Sequence, residues 1–198
     1  MTTESATRRP TQPIGREERP PQPIGREEVA AAILTAAADL FAERGPAATS
    51  IRDIASRSRV NHGLVFRHFG TKEQLVGAVL DDLSMNMSTL LRSGASADAI
   101  ERAIDLQMQV VARALLDGYP AGQLQKHFPN VEKLFDWVRP RHDSDSSGRL
   151  AIANALALQF GWRLFESFLR SAAGIDDMTD ADLRQAVNAE VARILEPH

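Results

Sequence analysis

Apolar side chains recur at helical spacing between residues 27 and 196, and almost no stretch shows the period-two alternation typical of strands. A first helix begins near Glu27, where carboxylates suit the positive end of the helix dipole, and Gly45 ends it. The pattern along the whole chain predicts an all-α protein of about nine helices. The apolar face of the first helix comprises Val29, Ile33, Ala37, Leu40 and Phe41.

Two short helices joined by a tight turn follow the first helix. Ser50 and Asp53 have the spacing of a capping box, which predicts a second helix from Ser50. Residues 57 to 59 are predicted to form the turn, and Asn61 is predicted to cap a third short helix that runs to Phe69. Three compact helices of this kind, of which the second and third form a helix-turn-helix, have the geometry of a module that reads duplex DNA.

A long fourth helix and five later helices are predicted by the same signals. Thr71 and Gln74 repeat the capping-box spacing and predict a helix that runs toward Leu91. The polar stretch from Arg141 to Gly148 predicts a loop. The remaining predicted helices lie near residues 97 to 117, 121 to 127, 130 to 139, 149 to 173 and 180 to 195.

The N-terminal segment, residues 1 to 26, has a different composition. It contains five of the ten prolines, and residues 9 to 18 recur almost unchanged at 19 to 28. Two copies of ten residues are too few for a stacked repeat. Beyond Met1, the only large apolar residues of the segment are Ile14 and Ile24, which cannot bury enough surface to order it, so a disordered arm is predicted. Its arginines leave open a contact with the minor groove. We favour a tolerated tandem duplication, because the glutamates of the repeat nearly cancel the charge.

Charge is distributed unevenly along the chain. The net charge is −3, yet residues 1 to 72 carry eleven Lys and Arg against eight Asp and Glu, and residues 50 to 72 carry five against one. A short basic patch on an acidic body is typical of a local contact with a polyanion. A solvated basic surface has the same composition, so charge alone does not decide between the two.

Several other function classes are not favoured. The chain has no cysteine and therefore no disulfide, thiolate zinc site or cysteine nucleophile. His62 and His68 have the wrong spacing for metal ligands on one helical face, and His142 lies in the predicted polar loop. We expect neither an enzyme nor a cofactor or metal site. The longest uncharged apolar run, Leu150 to Trp162, is too short to span a membrane, and no signal-peptide pattern is present, so a cytoplasmic protein is expected.

Residues 49 to 75, TSIRDIASRSRVNHGLVFRHFGTKEQL, resemble the DNA-binding signature of the TetR family of bacterial transcription factors. The matching features include the FAERG stretch that ends the first helix at Gly45, the central Val60, the aromatic pair Phe66 and Phe69, and Lys72. The resemblance is specific over about 50 residues from Glu27, and the acidic remainder resembles the family only in helix count and length.

The resemblance implies a sequence-specific DNA-binding transcriptional regulator, a repressor that a small hydrophobic effector releases from a palindromic operator. After the arm (1–26), it implies an N-terminal three-helix helix-turn-helix domain (27–71). A C-terminal helical domain (72–198) would then bind the effector and form the homodimer. The alternative is an architectural helical DNA-binding dimer without sequence preference or effector.

Candidate DNA-binding residues follow from the resemblance, position by position. Thr49 and Ser50 lie where the family meets backbone phosphate, and Arg52 lies where some members reach a base edge. Asn61 caps the recognition helix, and Lys72 is the matching phosphate lysine. The candidate set is Thr49, Ser50, Arg52, Asn61, His62, Gly63, Leu64, Phe66, Arg67, His68 and Lys72.

Two of these positions depart from the usual family pattern. Phe66 replaces the commoner tyrosine, so a phenol-to-phosphate hydrogen bond is lost. Leu64 replaces a commoner small polar residue, and its side chain suits a thymine methyl group better than a polar base edge. Packing within the three-helix unit is the other explanation of both residues.

The helix predicted at 149 to 173 is apolar nearly all round, which is typical of a helix buried on more than one side. Ala151 and Ala155 would permit the close approach of a partner helix, and the last helix adds a second amphipathic face. Together with the resemblance, this predicts a two-fold homodimer through a four-helix bundle. The predicted interface residues are Ala151, Ala155, Leu158, Trp162, Phe165, Leu169, Leu183, Val187, Val191 and Ile194.

Methionine and aromatic residues also recur between the DNA-reading helices and the predicted dimer helices. Such residues are most often core, but the resemblance implies an effector cavity in this region, and methionines adapt to irregular apolar ligands. His127 and Gln123 are candidates to orient the polar end of an effector. The predicted cavity residues are Leu83, Met87, Met108, Val111, Leu115, His127, Phe128, Phe135 and Trp137.

Overall fold

The computed structural model describes residue 23 and residues 25 to 196. Within this part of the chain there are nine α-helices, one turn of 3-10 helix and no strand, which confirms the all-α fold class. Most of the predicted arm lies outside the described residues, and the first helix begins at Arg26, inside the second repeat copy. The helices are α1 (Arg26–Arg44), α2 (Ile51–Ser58), α3 (His62–Phe69), α4 (Lys72–Ser93), α5 (Ala97–Leu116), α6 (Ala121–Leu124), α7 (Pro129–Val138), α8 (Asp145–Ala173) and α9 (Asp180–Leu195).

The capping signals predicted for the short helices are confirmed. The Ser50 hydroxyl oxygen accepts the Asp53 N–H at 3.1 Å, and the Asp53 carboxylate accepts the Ser50 N–H at 2.8 Å. Thr71 and Gln74 form the same reciprocal pair at the start of α4, and the Asn61 side chain caps α3. Because these bonds satisfy N–H groups that a helix leaves unpaired, they set where α2, α3 and α4 begin.

The turn between α2 and α3 is shorter than predicted. Residues 57 and 58 belong to α2, and the Ser58 hydroxyl donates to the Ile54 carbonyl oxygen at 2.7 Å. The chain reverses only at Arg59, which has a φ of 58° in the left-handed region. The helix-turn-helix geometry is therefore set by one left-handed residue.

Two later boundaries also differ from the prediction. Helix α6 ends at Leu124 rather than near residue 127, because the backbone of Gln125 is extended and its side chain turns back to α4. Helix α8 begins at Asp145, inside the predicted loop, because the Ser144 hydroxyl oxygen accepts the Ser147 N–H at 3.1 Å.

One apolar core joins the first three helices to α4, α5 and α6. Full burial of one large apolar side chain contributes about 2 kcal/mol to folding. The core crosses the predicted boundary between the helix-turn-helix domain and the remainder, so the two parts are packed together. One fully buried member from each of the first five helices is Phe41, Ile54, Val65, Leu75 and Val110.

A second, smaller core lies among α7, α8 and the end of α9. Its buried members are Val138, Ile152, Ala155 and Leu195. Helices α4 and α5 both contact elements of this second region, α4 through α7 and α5 through α8. The two cores are therefore bridged by the helices that also support the three-helix unit.

Gly77 allows α4 to approach α6 closely. A Cβ at this position would lie 2.5 Å from the backbone carbonyl oxygen of Leu124. We expect Gly77→Ala to lower the free energy of unfolding by about 1–3 kcal/mol, because the two helices must separate. Gly122→Ala is the matched control, since a Cβ there meets nothing within 4 Å. Chemical denaturation measures both variants, and a Gly77→Ala protein as stable as the unsubstituted chain would contradict the close approach.

Candidate nucleic-acid interface

Helix α3 has one packed face and one exposed face. Val65 is fully buried, and Leu64 and Phe69 pack partly against the first core. The remaining reading positions point away from that core, as a helix that enters a DNA groove requires. The exposed residues of the predicted reading face are His62, Gly63, Phe66 and Arg67.

Phe66 and Leu64, the two departures from the family pattern, have different environments. Phe66 is 65% exposed, so packing within the three-helix unit does not explain it. Leu64 is half-buried, and together with His68 and Val29 it lines a small groove beside the start of α1. Leu64 therefore has a packing role, and Phe66 is the large apolar side chain that the exposed face of α3 presents.

Thr49 does not belong to the exposed face. Its side chain is fully buried, and its hydroxyl donates to the Gly45 carbonyl oxygen at 2.8 Å. The phosphate contact predicted for Thr49 is therefore wrong for this side chain, because the hydroxyl closes the connection between α1 and α2 instead. The neighbouring Ser50 is exposed, and its hydroxyl proton stays free to donate because the cap uses only the oxygen.

The start of α4 lies beside the connection that leads into α2. The Lys72 ammonium donates to the Ala47 carbonyl oxygen at 3.4 Å, and Arg52 is exposed in the first turn of α2. Asp53 would repel an anion here, but Arg44 forms an ion pair with it at 3.0 Å. The local charge therefore remains positive, which suits a phosphate group.

Arg57 serves the fold rather than the exposed basic face. Its guanidinium donates two hydrogen bonds to the Glu43 carboxylate, at 3.0 and 3.1 Å, and so joins α2 to α1. The hydrogen bonds from Arg57 hold the pKa of Glu43 below its ordinary value. A count of basic residues cannot separate Arg57 from Arg52 or Arg67, because its partner lies 14 residues away in the chain.

Two residues at the end of α5 hold the three-helix unit to the remainder of the protein. Arg113 donates to the Ala42 carbonyl oxygen, and the Asp117 carboxylate accepts the Ala47 N–H, both at 2.7 Å. Gly45 lies in the same connection with a φ of 83°, and a Cβ there would lie 2.5 Å from the Asp117 carboxylate. We call this contact the α5 clamp. Sequence reasoning missed it because the partners are 70 and 71 residues apart.

An apolar cavity of about 480 Å³ lies between the two cores. It is bordered by α4, α5, α6, α7 and α8. Ile104, Leu156 and Phe160 also line it, although sequence reasoning did not place them there. The predicted effector residues that do line it are Met87, Met108, Val111, Leu115 and Phe128.

The other four predicted effector residues lie outside the cavity. Leu83 is buried in the first core, and Phe135 packs against the second. His127 is exposed and bonds through its backbone, and Trp137 is 49% exposed on the outer side of α7. Gln123 is also exposed. Apolar spacing on a helix does not indicate which of two cores a residue faces, and the effector contacts predicted for these residues stay predictions.

The cavity wall carries a polar cluster that sequence reasoning missed. The Ser84 hydroxyl oxygen accepts the side-chain amides of Gln107 and Gln125, at 2.9 and 2.7 Å. The Asn130 side chain donates to the Ser84 backbone carbonyl oxygen at 3.4 Å. All four residues line the cavity, so its polar groups come from them and not from His127.

Helix α8 is divided between packing within its own chain and exposure. Ala151, Ala155 and Leu183 are buried within the single chain, which leaves little of their surface for a partner, and the contact predicted for these three residues stays a prediction. Phe165 is 58% exposed and Phe168, which was not predicted, is 69% exposed. The other predicted interface residues are half-buried, namely Leu158, Trp162, Leu169, Val187, Val191 and Ile194.

Residues 25 to 196 contain neither a candidate membrane span nor a candidate metal site. No helix in this range is both long and apolar enough to cross a membrane. The same range contains no group of three or more His, Asp or Glu side chains arranged to hold a metal ion.

Comparison with known proteins identifies the family. The family model of bacterial regulatory proteins of the tetR family matches residues 33 to 79. HTH-type transcriptional repressor Rv3405c of Mycobacterium tuberculosis is 67% identical over 198 residues, which cover 100% of both chains. HTH-type transcriptional regulator TtgR of Pseudomonas putida is 38% identical over 74 residues, 37% of this chain and 35% of that protein. A solved TetR family protein from Vibrio parahaemolyticus covers 83% of this chain and 97% of its own at 21% identity, with a TM-score of 0.48. The chain belongs to the TetR family of HTH-type transcriptional regulators.

Proposed function

We propose that this regulator is a homodimeric repressor that binds a palindromic operator and leaves it when a small apolar molecule fills the cavity. The observation that carries the proposal is the position of α5, which lines the cavity and also holds the three-helix unit through the α5 clamp. The Mycobacterium tuberculosis relative is named a repressor, which supports repression as the direction of control.

In this proposal α3 lies in the major groove. Arg67 and Arg52 are exposed and long enough to reach base edges, where a guanidinium can bind guanine through two hydrogen bonds. Lys72 donates to the Ala47 carbonyl oxygen in the connection that leads to Ser50, and both Lys72 and Ser50 bind backbone phosphate. Phe66 contacts sugar or a thymine methyl group, since it has no hydroxyl to donate.

Exposed apolar residues on α8 support the homodimer. Phe165 and Phe168 are both more than half exposed in the single chain, and such side chains are typical of a protein interface when they cluster on one helix. A second copy related by two-fold symmetry covers them with the same residues and places two α3 helices on one side of the duplex. A palindromic operator follows from that symmetry.

Release follows from the shared use of α5. Met108, Val111 and Leu115 line the cavity, and Arg113 and Asp117 of the α5 clamp lie on the same stretch of chain. A ligand that fits between α5 and α8 shifts α5, and the clamp carries that shift to the connection between α1 and α2. The spacing of the paired α3 helices then no longer matches the operator.

Selection of bound duplexes from a random pool tests the proposed function. We expect the full-length chain to enrich an inverted repeat, because two symmetric heads select two half-sites. Adding apolar compounds of several skeletons should release the selected duplex for at least one of them. Equal binding of random and selected duplexes would instead favour an architectural DNA-binding dimer without sequence preference.

A further inference from the structure

The small groove beside the start of α1 also borders the DNA-reading helix α3. It is lined by Gly25, Arg26, Val29, Leu64, Arg67 and His68. Gly25 is the N-cap residue of α1, so the chain enters its first helix at this groove. Pro23, two residues earlier, is half-buried, whereas Gly25 itself is exposed. The N-terminal segment therefore joins the three-helix unit next to the last turn of α3.

The apolar part of the groove fits the residue that comes just before Gly25. In a hydrophobic staple, the residue before the N-cap packs against the fourth residue of the helix and fixes the direction in which the chain enters. With Gly25 as the N-cap of α1, these two positions are Ile24 and Val29. Val29 is buried, and Leu64 on the other side of the groove is half-buried. An isoleucine side chain in the groove would remove apolar surface of both helices from water.

The residues ahead of the groove are positively charged. Between Glu18 and Glu27 the only charged residues are Arg19 and Arg26. The extended chain from Ile24 to Arg19 spans up to about 17 Å. The major and minor grooves of DNA, about 12 and 6 Å wide, adjoin across one phosphate backbone. A chain held beside α3 can therefore reach the minor groove when α3 lies in the major groove.

We propose that Ile24 occupies the groove between α1 and α3, and that Arg19 binds in the minor groove next to each half-site of the operator. Residues 1 to 22 and Ile24 lie outside the described residues, and their chemistry is taken from the sequence. A guanidinium group is attracted to the narrow, strongly negative minor groove of A·T-rich DNA. This inference rests on the proposed function, because it requires α3 in the major groove. The first repeat copy, residues 9 to 18, takes no part and remains a tolerated duplication.

Flanking base pairs of defined chemistry test the minor-groove contact with the full-length chain. Three versions of the selected operator carry A·T, G·C or inosine·cytosine pairs on both sides of each half-site. Inosine has the major-groove face of guanine but lacks the amino group that guanine places in the minor groove. We expect the A·T and inosine·cytosine versions to bind about tenfold more tightly than the G·C version, because only the amino group obstructs the arginine. Titration measures the three affinities, and equal affinity for the inosine·cytosine and G·C versions would overturn the inference.

The tandem repeat supplies a matched control for Arg19. Arg19→Ala should abolish the preference among flanks and weaken binding to the A·T version about tenfold. It should also lower the exponent of the salt dependence by about two, one for each arm of the dimer. Arg9→Ala removes the same charge from the same position of the first copy, and should change neither the preference nor the affinity. Equal effects of the two substitutions would contradict the assignment to Arg19.

The repeat supplies a second matched pair that tests the groove. Ile24→Ser removes the apolar side chain that holds the segment beside α3, so we expect the flank preference to fall to that of Arg19→Ala. Ile14→Ser makes the same replacement within the same Gln-Pro-Ile-Gly stretch of the first copy, and should bind like the unsubstituted chain. Thermal unfolding shows whether Ile24→Ser also destabilises α1. Arg19 lies seven residues ahead of α1, so the Arg19→Ala result does not depend on that outcome.

Arg67→Ala distinguishes a failure of this inference from a failure of the proposed function. If Arg67→Ala weakens operator binding and Arg19→Ala does not, the inference alone is overturned. A loss with Arg19→Ala that is equal on all three flanks would identify a phosphate contact and contradict the minor-groove contact. If neither substitution weakens binding, both the inference and the placement of α3 in the major groove are contradicted.

Discussion

Replacing Phe168 with glutamate should convert the dimer to monomers and weaken operator binding about a hundredfold or more. The phenyl ring is 69% exposed on the single chain and lies on the outer face of α8. In the proposed two-fold interface each ring is covered by the partner, so one substitution places two carboxylates in a buried apolar contact. A monomer binds only one half-site and loses the contribution of the second.

Sedimentation and operator titration check this prediction together. Leu91→Glu is the matched control, because Leu91 is 51% exposed on α4 and receives the same charge. The Leu91 variant should remain dimeric and bind the operator normally. A Phe168→Glu protein that stays dimeric would place the dimer interface on another surface.

Replacing Arg67 with alanine should weaken binding to the selected operator by about 1–3 kcal/mol per half-site and relax the sequence preference. The reason is that the exposed guanidinium of α3 offers two parallel donors to a guanine edge. Binding to random duplex should fall much less, since those contacts are mainly to phosphate. Titration on both duplexes at two salt concentrations measures the difference.

Arg57→Ala is the matched control for Arg67→Ala. It removes the same charge from an exposed arginine that is already paired with Glu43, so it should cost little affinity on either duplex. Lys72→Ala should weaken both duplexes alike and reduce the dependence on salt. An equal loss on selected and random duplex for Arg67→Ala would identify Arg67 as a phosphate contact.

The parts of the fold that sequence predicts well are those determined by local bonds. The capping pairs at Ser50 and Thr71 join residues three apart, so their spacing is visible in the sequence. The α5 clamp was not predictable, because no periodicity relates Asp117 to Ala47. The burial of Thr49 was not predictable from its position in the motif either, because it depends on how the connection between α1 and α2 packs around the side chain.

The cavity and the dimer surface illustrate a second limit. Apolar spacing identifies a buried face but not its partner, so Phe135 and Met108 look alike in sequence although only Met108 lines the cavity. In α8, Ala155 packs within the protomer and Phe168 is exposed, although both belong to an apolar helix. The apolar pattern gives no sign of Asn130 and Gln125, because polar residues do not continue it.

Methylation interference on the selected operator tests most directly whether the exposed face of α3 reads the major groove. Methylation places a methyl group at guanine N7 in the major groove or at adenine N3 in the minor groove. We expect interference at guanine N7 in two symmetric patches on one side of the duplex, and the loss of both patches with Arg67→Ala. Interference confined to adenine N3, or the same pattern with Arg67→Ala as with the unsubstituted protein, would contradict it.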